Sequence, residues 1–319
     1  MTQSPCVAVI TPVYQGEDYL AEALESVQAQ TYENLVHVVL DNASTDATPQ
    51  ILERFQGRRV PLHVHRNAST LSQVDNWNTA FTLAPNQASY VRLLCHDDTL
   101  FPNAIARLVE ASQAAPGIGM ISSNHFCLGR HNDFGWPKDQ SVLDGKEAAR
   151  LSLTGQSFLM APHIMLHRDA IAMRAPVFDG RFSGWDMDAC LDLLTRGCKF
   201  AFVQDSLCMT RVHAHSVSST LLEREHMDLF QKYAELQRYG PRVFTPAEHN
   251  RLMQRYRRYY LRKLARWSLQ GQDGMGIAAK HRKNLAELGF VPGPIELLDS
   301  LLDWPLGKLG LRPQWRERP

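Results

Sequence analysis

Two hydrophobic patterns alternate along the first two-thirds of the chain. Short, mostly apolar runs are typical of buried strands, and apolar residues spaced three and four apart are typical of helices. The runs predict strands at 6–11, 36–41, 62–65, 90–94, 118–122 and 199–203. Helical spacing predicts helices at 19–28, 47–55, 72–83 and 104–114, and one ending at Gly197. This alternation predicts an α/β fold with a doubly wound, Rossmann-like, mostly parallel sheet flanked by helices.

The pattern changes to long helices after about residue 221, which predicts one domain at 1–220 and a helical C-terminal extension at 221–319. One helix of the extension carries an apolar stripe among basic residues (Met253, Tyr256, Tyr260, Leu264 and Trp267). Such a helix either lies on an anionic membrane or packs on the first domain or on a second subunit of a homodimer. The second arrangement is the commoner one. The apolar stretch 297–309, although interrupted by acids and Pro305, keeps peripheral membrane contact open.

The composition is that of a globular protein, with 319 residues, 44% hydrophobic and 21% charged. A net charge of +1 gives no electrostatic reason to expect a nucleic-acid partner. The six cysteines form no CxxC pair, which predicts reduced thiols. No signal peptide and no apolar run long enough to span a bilayer are recognisable, so we expect a cytoplasmic protein, with peripheral attachment to the inner membrane face as the alternative.

Two adjacent carboxylates, Asp97 and Asp98, follow the apolar run that ends at Leu94. Ligands of open α/β sheets bind beyond the carboxyl ends of the strands, where paired carboxylates suit Mn²⁺ or Mg²⁺ carrying a phosphate. The plain alternative is a solvated turn. The chain has neither a Gly-x-Gly-x-x-Gly turn nor a Gly-x-x-x-x-Gly-Lys-Ser/Thr loop, so a metal at this pair is the candidate for phosphate binding.

Four segments in order resemble the family 2 glycosyltransferases: Thr11-Pro-Val-Tyr-Gln-Gly-Glu-Asp-Tyr-Leu, Ser26-Val-Gln-Ala-Gln-Thr-Tyr, Asp41-Asn-Ala-Ser-Thr-Asp-Ala-Thr and His96-Asp-Asp-Thr-Leu-Phe-Pro. The resemblance runs from about residue 7 to 218 and implies the GT-A fold. It also implies an inverting transfer of sugar from a nucleotide-diphosphate sugar donor to a saccharide or lipid-linked saccharide acceptor, in surface polysaccharide or glycan biosynthesis.

The resemblance assigns Thr11, Pro12, Tyr14 and Glu17 to the nucleotide pocket and Asp41 to the base. A carboxylate can accept a hydrogen bond from the imide N–H of uracil or thymine, which favours a UDP- or dTDP-linked donor. An Asx-type cap before Ser44 is the structural alternative for Asp41. Ser44 or Thr45 is also expected to cap the helix that follows.

Where many relatives read Asp-x-Asp-Asp, this chain has Cys95-His96-Asp97-Asp98. A thiol is a poor Mg²⁺ ligand, so Cys95 is expected to be buried packing. Asp97 and Asp98 remain. One of them is expected to bind the ribose or the metal and the other to bind the metal, and the sequence does not say which does which. The later segment Thr210-Arg-Val-His-Ala-His-Ser-Val-Ser resembles the family's Arg-x-His-x-x-Ser, which assigns Arg211 to the diphosphate and His213 to the metal or the diphosphate.

Trp185-Asp-Met-Asp188 resembles the family's Glu-Asp-x-Asp, which assigns Asp186 as the base that activates the acceptor hydroxyl. The alternative is that both acids only favour the helix dipole, and Asp188 suits that role. Trp185 and His163 are candidate acceptor contacts. Two rival functions stay open: a non-catalytic binder of sugar nucleotides or glycans, motivated by Cys95 and Trp185, and a nucleotidyltransferase, which also uses paired acids.

Overall fold

The computed structural model describes residues 4–181, 184–213 and 225–309. The described residues form one sheet of ten strands. The strands are β1 (Cys6–Val13), β2 (Leu35–Asp41), β3 (Leu62–Arg66), β4 (Ala88–Leu93), β5 (Thr99–Leu100), β6 (Ile118–Cys127), β7 (Arg130–Asn132), β8 (Val142–Leu143), β9 (Met165–His167) and β10 (Lys199–Thr210). Their order is β3-β2-β1-β4-β9-β6-β10-β5, with β7 beside β6 and β8 beside β10.

The long strands pair in parallel, as predicted. β1 lies between β2 and β4, and β10 runs parallel to β6. The short β9 joins these two groups by pairing antiparallel with β4 and β6. All of β2 and nearly all of β1 are buried, as expected for parallel strands covered on both faces.

The helices follow the predicted order. In the first two-thirds they are α1 (Leu20–Gln28), α2 (Thr48–Glu53), α3 (Gln73–Thr82), α4 (Ala104–Ser112), α5 (Gly145–Leu153), α6 (Arg168–Ala172) and α7 (Trp185–Thr195), with a 3₁₀ turn at Ala161–His163. α7 is followed, as predicted, by Gly197 in a left-handed conformation with φ 99°. The predicted cap of α2 by Ser44 or Thr45 is wrong. The first-turn N–H of Thr48 instead donates to Asp46 Oδ1 at 3.0 Å.

The chain divides into two compact units. The first unit comprises residues 1–149 and 157–212, and the second comprises 150–156 and 213–319. The domain boundary predicted at residue 220 falls in 214–224, outside the described residues.

The second unit contains α8 (Met227–Val243), α9 (Pro246–Ser268), α10 (Gly271–Glu287), α11 (Pro294–Leu301) and α12 (Asp303–Lys308). The stripe of α9 is buried at Tyr256, Tyr260, Leu264 and Trp267. α9 packs on α8, α10 and α11, so its apolar face is covered by helices of the same unit. Among the described residues, every helix is too short or too polar to cross a bilayer.

Candidate active site

The carboxyl end of β1 carries the first of the predicted nucleotide-binding residues. Thr11 is buried, and its Oγ1 lies 2.9 Å from Nε2 of His37 on the neighbouring strand. Burial lowers the pKa of His37 to about 3, so this imidazole is neutral. Pro12 is buried opposite Leu40, whereas Tyr14, beyond the strand end, is half exposed. Among Thr11, Pro12 and Tyr14, Tyr14 is thus the residue whose ring is open to a ligand.

The turns after β1 and β2 are bound to each other by hydrogen bonds. The Gln15 N–H donates to Ser44 Oγ at 2.9 Å, and the Glu17 N–H donates to Asp46 Oδ2 at 2.9 Å. In return, the Ala47 N–H donates to Glu17 Oε2 at 3.1 Å. Glu17, predicted in the nucleotide pocket, therefore also satisfies a free N–H at the start of α2. The two turns form one preorganised surface.

Asp41 lies at the end of β2 and is almost completely buried. Its Oδ1 accepts the Ser44 N–H at 2.9 Å, the Asx-type arrangement weighed as an alternative, and its Oδ2 accepts a hydrogen bond from Arg66. Arg66 is the residue opposite Asp41 on β3, a register that the sequence does not reveal. The predicted contact with a nucleobase thus requires a further lone pair on an oxygen that already has a protein partner.

The paired acids after β4 form a cluster with the thiol before them. Ligand atoms of Cys95, Asp97 and Asp98 all lie within 4.8 Å of one another. Burial, and then the charge of Asp97, raise the pKa of Asp98 to about 7. Burial and both carboxylates raise the pKa of Cys95 well above its usual value, so this thiol is neutral. The two carboxylates fit a hard divalent cation, which would also relieve their mutual repulsion, and the neutral sulfur does not.

Arg211 follows β10 and closes over the cluster. Its backbone N–H donates to Asp98 Oδ1 at 3.0 Å, and its Nε donates to the carbonyl oxygen of Asp97 at 3.2 Å. The guanidinium also pairs with Glu22 at 2.6 Å and lies 4.6 Å from the ring centre of Tyr19. This places a cation beside the acids, as a diphosphate site requires. His213, assigned by the resemblance to the metal, belongs to the second unit.

Arg92 is a residue of this region that the sequence analysis missed. Its side chain is buried within β4, where it donates to the backbone carbonyls of Leu93 and Pro162. Its positive charge lowers the pKa of both Asp98 and Cys95, opposing the larger effect of burial. The sequence does contain a signal for Arg92, namely an arginine inside the apolar run 90–94. A buried arginine is rare and needs polar partners, so it indicates a site of special importance.

Asp186 lies in the first turn of α7, directly after Gly184, which adopts φ 72°. Burial raises the pKa of the Asp186 carboxyl. Its negative charge is also among the smaller causes of the raised pKa of Cys95, a member of the acid cluster. Asp188, by contrast, is bound by Arg174 at 2.6 Å, and this ion pair fixes the start of the helix.

The two candidate acceptor contacts differ in accessibility. Trp185 is partly buried and packs edge-to-face on Trp77 and Phe178, with ring centres 4.9 and 5.0 Å apart. His163 is buried, and its Nε2 lies 2.8 Å from Oγ1 of Thr210. Burial lowers the pKa of His163 well below its usual value. The buried position of His163 does not favour direct contact with an acceptor. The ring of Trp185 is partly exposed and stays open to such a contact.

A family model described as "Glycosyl transferase family 2" matches residues 8–173, slightly more than half of the chain. The chain belongs to glycosyl transferase family 2. The matched region contains the β1 and β2 turns and the acid cluster. It ends before α7, so Asp186 and Arg211 lie beyond it.

Curated relatives in this family include an uncharacterized glycosyltransferase of Rickettsia typhi, 33% identical over 109 residues, or 34% of this chain and 32% of the relative. An uncharacterized glycosyltransferase of Nostoc is 23% identical over 211 residues, 65% of each chain. The aligned segment spans about a third or less of the length of the first Rickettsia relatives.

Solved structures share the GT-A fold predicted from the sequence. Staphylococcus aureus TarS in complex with UDP-GlcNAc superposes with a TM-score of 0.62 and 15% identity, covering 88% of this chain and 81% of TarS. The mannosyltransferase PcManGT of Pyrobaculum calidifontis, in complex with GDP-Man and Mn²⁺, gives a TM-score of 0.58 and 18% identity, covering 99% and 83%. At these identities the likeness establishes the fold.

Proposed function

We propose that this family 2 protein transfers a sugar from a nucleotide-diphosphate sugar to an acceptor hydroxyl, with inversion at the anomeric carbon. The observation that carries the proposal is the grouping of Asp97, Asp98 and Arg211 beside the joined turns of β1 and β2. Paired acids with a cation suit a metal-bound diphosphate, and the turns offer a surface for a nucleoside. Asp186 adds a carboxylate of raised pKa near the same acids.

The donor is proposed to bind with its nucleoside against Thr11, Pro12, Tyr14 and Glu17 and its base at Asp41. An imide N–H would be accepted by Asp41, which favours a uridine- or thymidine-linked donor. Neighbours of the same fold bind different nucleotides: TarS is in complex with UDP-GlcNAc and PcManGT with GDP-Man. Binding measurements on this chain are therefore needed to decide which nucleobase its donor carries.

Asp98 and Asp97 are proposed to hold Mn²⁺ or Mg²⁺. The role of His213 that the resemblance implies stays a prediction. When bound, such an ion neutralises charge that develops on a departing diphosphate. Arg211 contributes in the same direction, because its Nε donates to the carbonyl oxygen of Asp97 and so keeps the cation beside the acids. PcManGT, of the same fold, is in complex with Mn²⁺, which supports a divalent ion without deciding between the two metals.

Asp186 is proposed as the general base. The acceptor oxygen bonds to the anomeric carbon while the bond from that carbon to the diphosphate oxygen breaks, and the hydroxyl proton passes to Asp186. A single displacement of this kind inverts the anomeric centre. A carboxylate of ordinary pKa is a weak base, and the burial that raises the pKa of Asp186 improves its match to this task.

The test is Asp186→Asn, with Asp169→Asn, which changes an exposed carboxylate of the same unit, as the matched control. We expect the first variant to lose transfer while Mn²⁺-dependent thermal stabilisation by the donor survives, and the control to keep both. Transfer that continues unchanged in Asp186→Asn would show that the base is another residue. A preceding screen of nucleotide sugars by thermal stabilisation identifies the donor to be used.

Two rival functions predict different products. A nucleotidyltransferase releases pyrophosphate from a nucleoside triphosphate, whereas a glycosyltransferase releases a nucleoside diphosphate from a sugar nucleotide. A non-catalytic binder, suggested by Cys95 and Trp185 at motif positions, is stabilised by the donor and releases neither. Product analysis with each substrate class separates the three.

The finer predictions about partners stay predictions. These are a saccharide or lipid-linked saccharide acceptor contacted by Trp185 or His163, a role in surface polysaccharide or glycan biosynthesis, a cytoplasmic location, a homodimer and a peripheral membrane contact. The nucleotide-sugar donor is the partner with most support, because fold neighbours are in complex with UDP-GlcNAc and GDP-Man.

A further inference from the structure

The apolar side of α11 in the second unit is turned outward. Ile295, Leu298 and Leu302 are 81%, 65% and 49% exposed, and their spacing of three and four places them on one face of the helix. Val291 before the helix and Leu309 after α12 are also exposed. We name these five residues the outer face. Single exposed apolar residues are common, but a helical row of them usually marks a binding surface.

An adjoining side of α11 is bound to α9 through charges. Glu296 pairs with Arg257 at 2.8 Å, and Asp299 pairs with Arg258 at 2.9 Å. Asp303, at the start of α12, is buried and pairs with the same Arg258 at 2.5 Å. A surface helix ordinarily buries its apolar side and exposes its charges. α11 departs from this pattern, because it buries Ser300 and only partly buries Leu297 and Leu301, while Ile295 and Leu298 stay exposed. The outer face is therefore left for a partner outside the second unit.

The charge of the surrounding chain indicates what that partner is. Residues 251–319 contain 14 Lys and Arg but 6 Asp and Glu, although the whole chain has a net charge of only +1. Three of these six acids are the ones already paired with arginines of α9. Basic side chains on α9 and α10 stay exposed, namely Arg251, Arg266, Arg282 and Lys283. The excess charge favours an anionic partner, and it opposes a second copy of the same surface.

We propose that the outer face of α11 binds the surface of an anionic phospholipid bilayer. Ile295, Leu298 and Leu302 enter the interface between headgroups and acyl chains, while the exposed arginines and lysines of the same unit attract the anionic headgroups. The apolar stripe of α9, which suggested membrane contact from the sequence, is buried and takes no part. The proposed binding surface lies on α11, which ion pairs attach to the basic helix α9.

The experiment measures binding of the full chain to vesicles by cosedimentation, without nucleotide or acceptor. Vesicles of equal parts phosphatidylglycerol and phosphatidylcholine are compared with vesicles of phosphatidylcholine alone. The variant Ile295→Gln/Leu298→Gln removes apolar surface without changing charge. Its matched control, Leu128→Gln/Met173→Gln, alters two exposed apolar residues of the first unit, which are 72% and 45% exposed.

We expect the unaltered chain to bind the anionic vesicles, more weakly at high salt, and to bind phosphatidylcholine poorly. Ile295→Gln/Leu298→Gln should weaken binding by about tenfold or more, because burying one such side chain is worth about that factor. The control should bind as the unaltered chain does. Circular dichroism verifies folding, and Leu298→Gln alone is measured if the double variant is unfolded.

Three outcomes would overturn the proposal. The unaltered chain fails to bind anionic vesicles, or the outer-face variants bind as well as the control. The third is a concentration-dependent dimer that the outer-face variants abolish while vesicle binding is absent, which would identify a second copy as the occupant. Since no donor is present, a failure here is independent of whether the chain transfers a sugar.

Discussion

Asp98→Asn is predicted to stabilise the metal-free protein at neutral and alkaline pH. Asn has nearly the same shape and its Oδ1 can still accept the Arg211 N–H, which now donates to Asp98 at 3.0 Å. What the substitution removes is a buried negative charge beside Asp97. Such a trade of stability for function is expected where a carboxylate is retained for a ligand.

The magnitude follows from the raised pKa. In the folded state the pKa of Asp98 is about 7, against 3.8 for the solvent-exposed carboxyl of the unfolded chain. Because the folded state keeps its proton to higher pH, the free energy of unfolding falls as pH rises between these values. About three pKa units correspond to about 4 kcal/mol. Relative to Asp98→Asn, the unaltered protein therefore loses about 4 kcal/mol between pH 4 and pH 7 and nothing more above that.

The assay is urea unfolding of both proteins at a series of pH values in a chelating buffer. Asp169→Asn, an exposed carboxylate of the same unit, is the control and should differ from the unaltered protein by less than about 0.5 kcal/mol throughout. Adding Mn²⁺ at pH 7.5 or so should reverse the ranking, because the ion stabilises only a site with both carboxylates. A difference between Asp98→Asn and the unaltered protein that is independent of pH would refute the reasoning.

Two further predictions concern stability, one through a buried ion pair and one through the packing of a glycine. Arg174→Leu should lower the free energy of unfolding by about 3 kcal/mol in urea, because Asp188 loses a buried cationic partner, whereas Arg181→Leu, which breaks an exposed pair, should change it little. Equal effects of the two would contradict this assignment. Gly145→Ala should cost about 2 kcal/mol, since its Cβ would meet two carbonyl oxygens at 2.3 Å; Gly276→Ala, with open space in a helix, should gain about 0.5 kcal/mol. Melting temperatures that rank the two glycine variants in the opposite order would count against the packing described.

The element pattern was predictable because periodicity is local. The five helices predicted in the first unit are present within a few residues of their predicted bounds, and so are the starts of the long strands. α5 and α6 were not predicted, and β6 and β10 extend beyond their predicted ends at residues 122 and 203 to residues 127 and 210. β9 was not predicted as the joint between the two halves of the sheet, because three residues carry no readable period. Its antiparallel pairing with β4 and β6 depends on contacts distant in the chain.

The chemistry of the site was partly predictable for a similar reason. An apolar run that stops at paired acids locates Asp97 and Asp98 at a sheet edge without any coordinates. The partners of site residues were not predictable. Arg66 reaches Asp41 through strand register, and Glu17 completes the start of α2 from another turn. Each of these bonds joins residues about thirty positions apart or less, yet none is visible as a sequence spacing.

The sequence by itself determined the alternation of strands and helices, the family and the types of side chain available at the strand ends. Only the tertiary structure decided how those side chains are charged and which surfaces stay open. The pKa of Asp98 is raised by its burial and by Asp97, and lowered by Arg211 from a distant strand end. The exposure of Ile295 and Leu298 depends on how α11 packs against α9. Solvent exposure and charge proximity arise from packing between distant segments, which residue order along the chain does not specify.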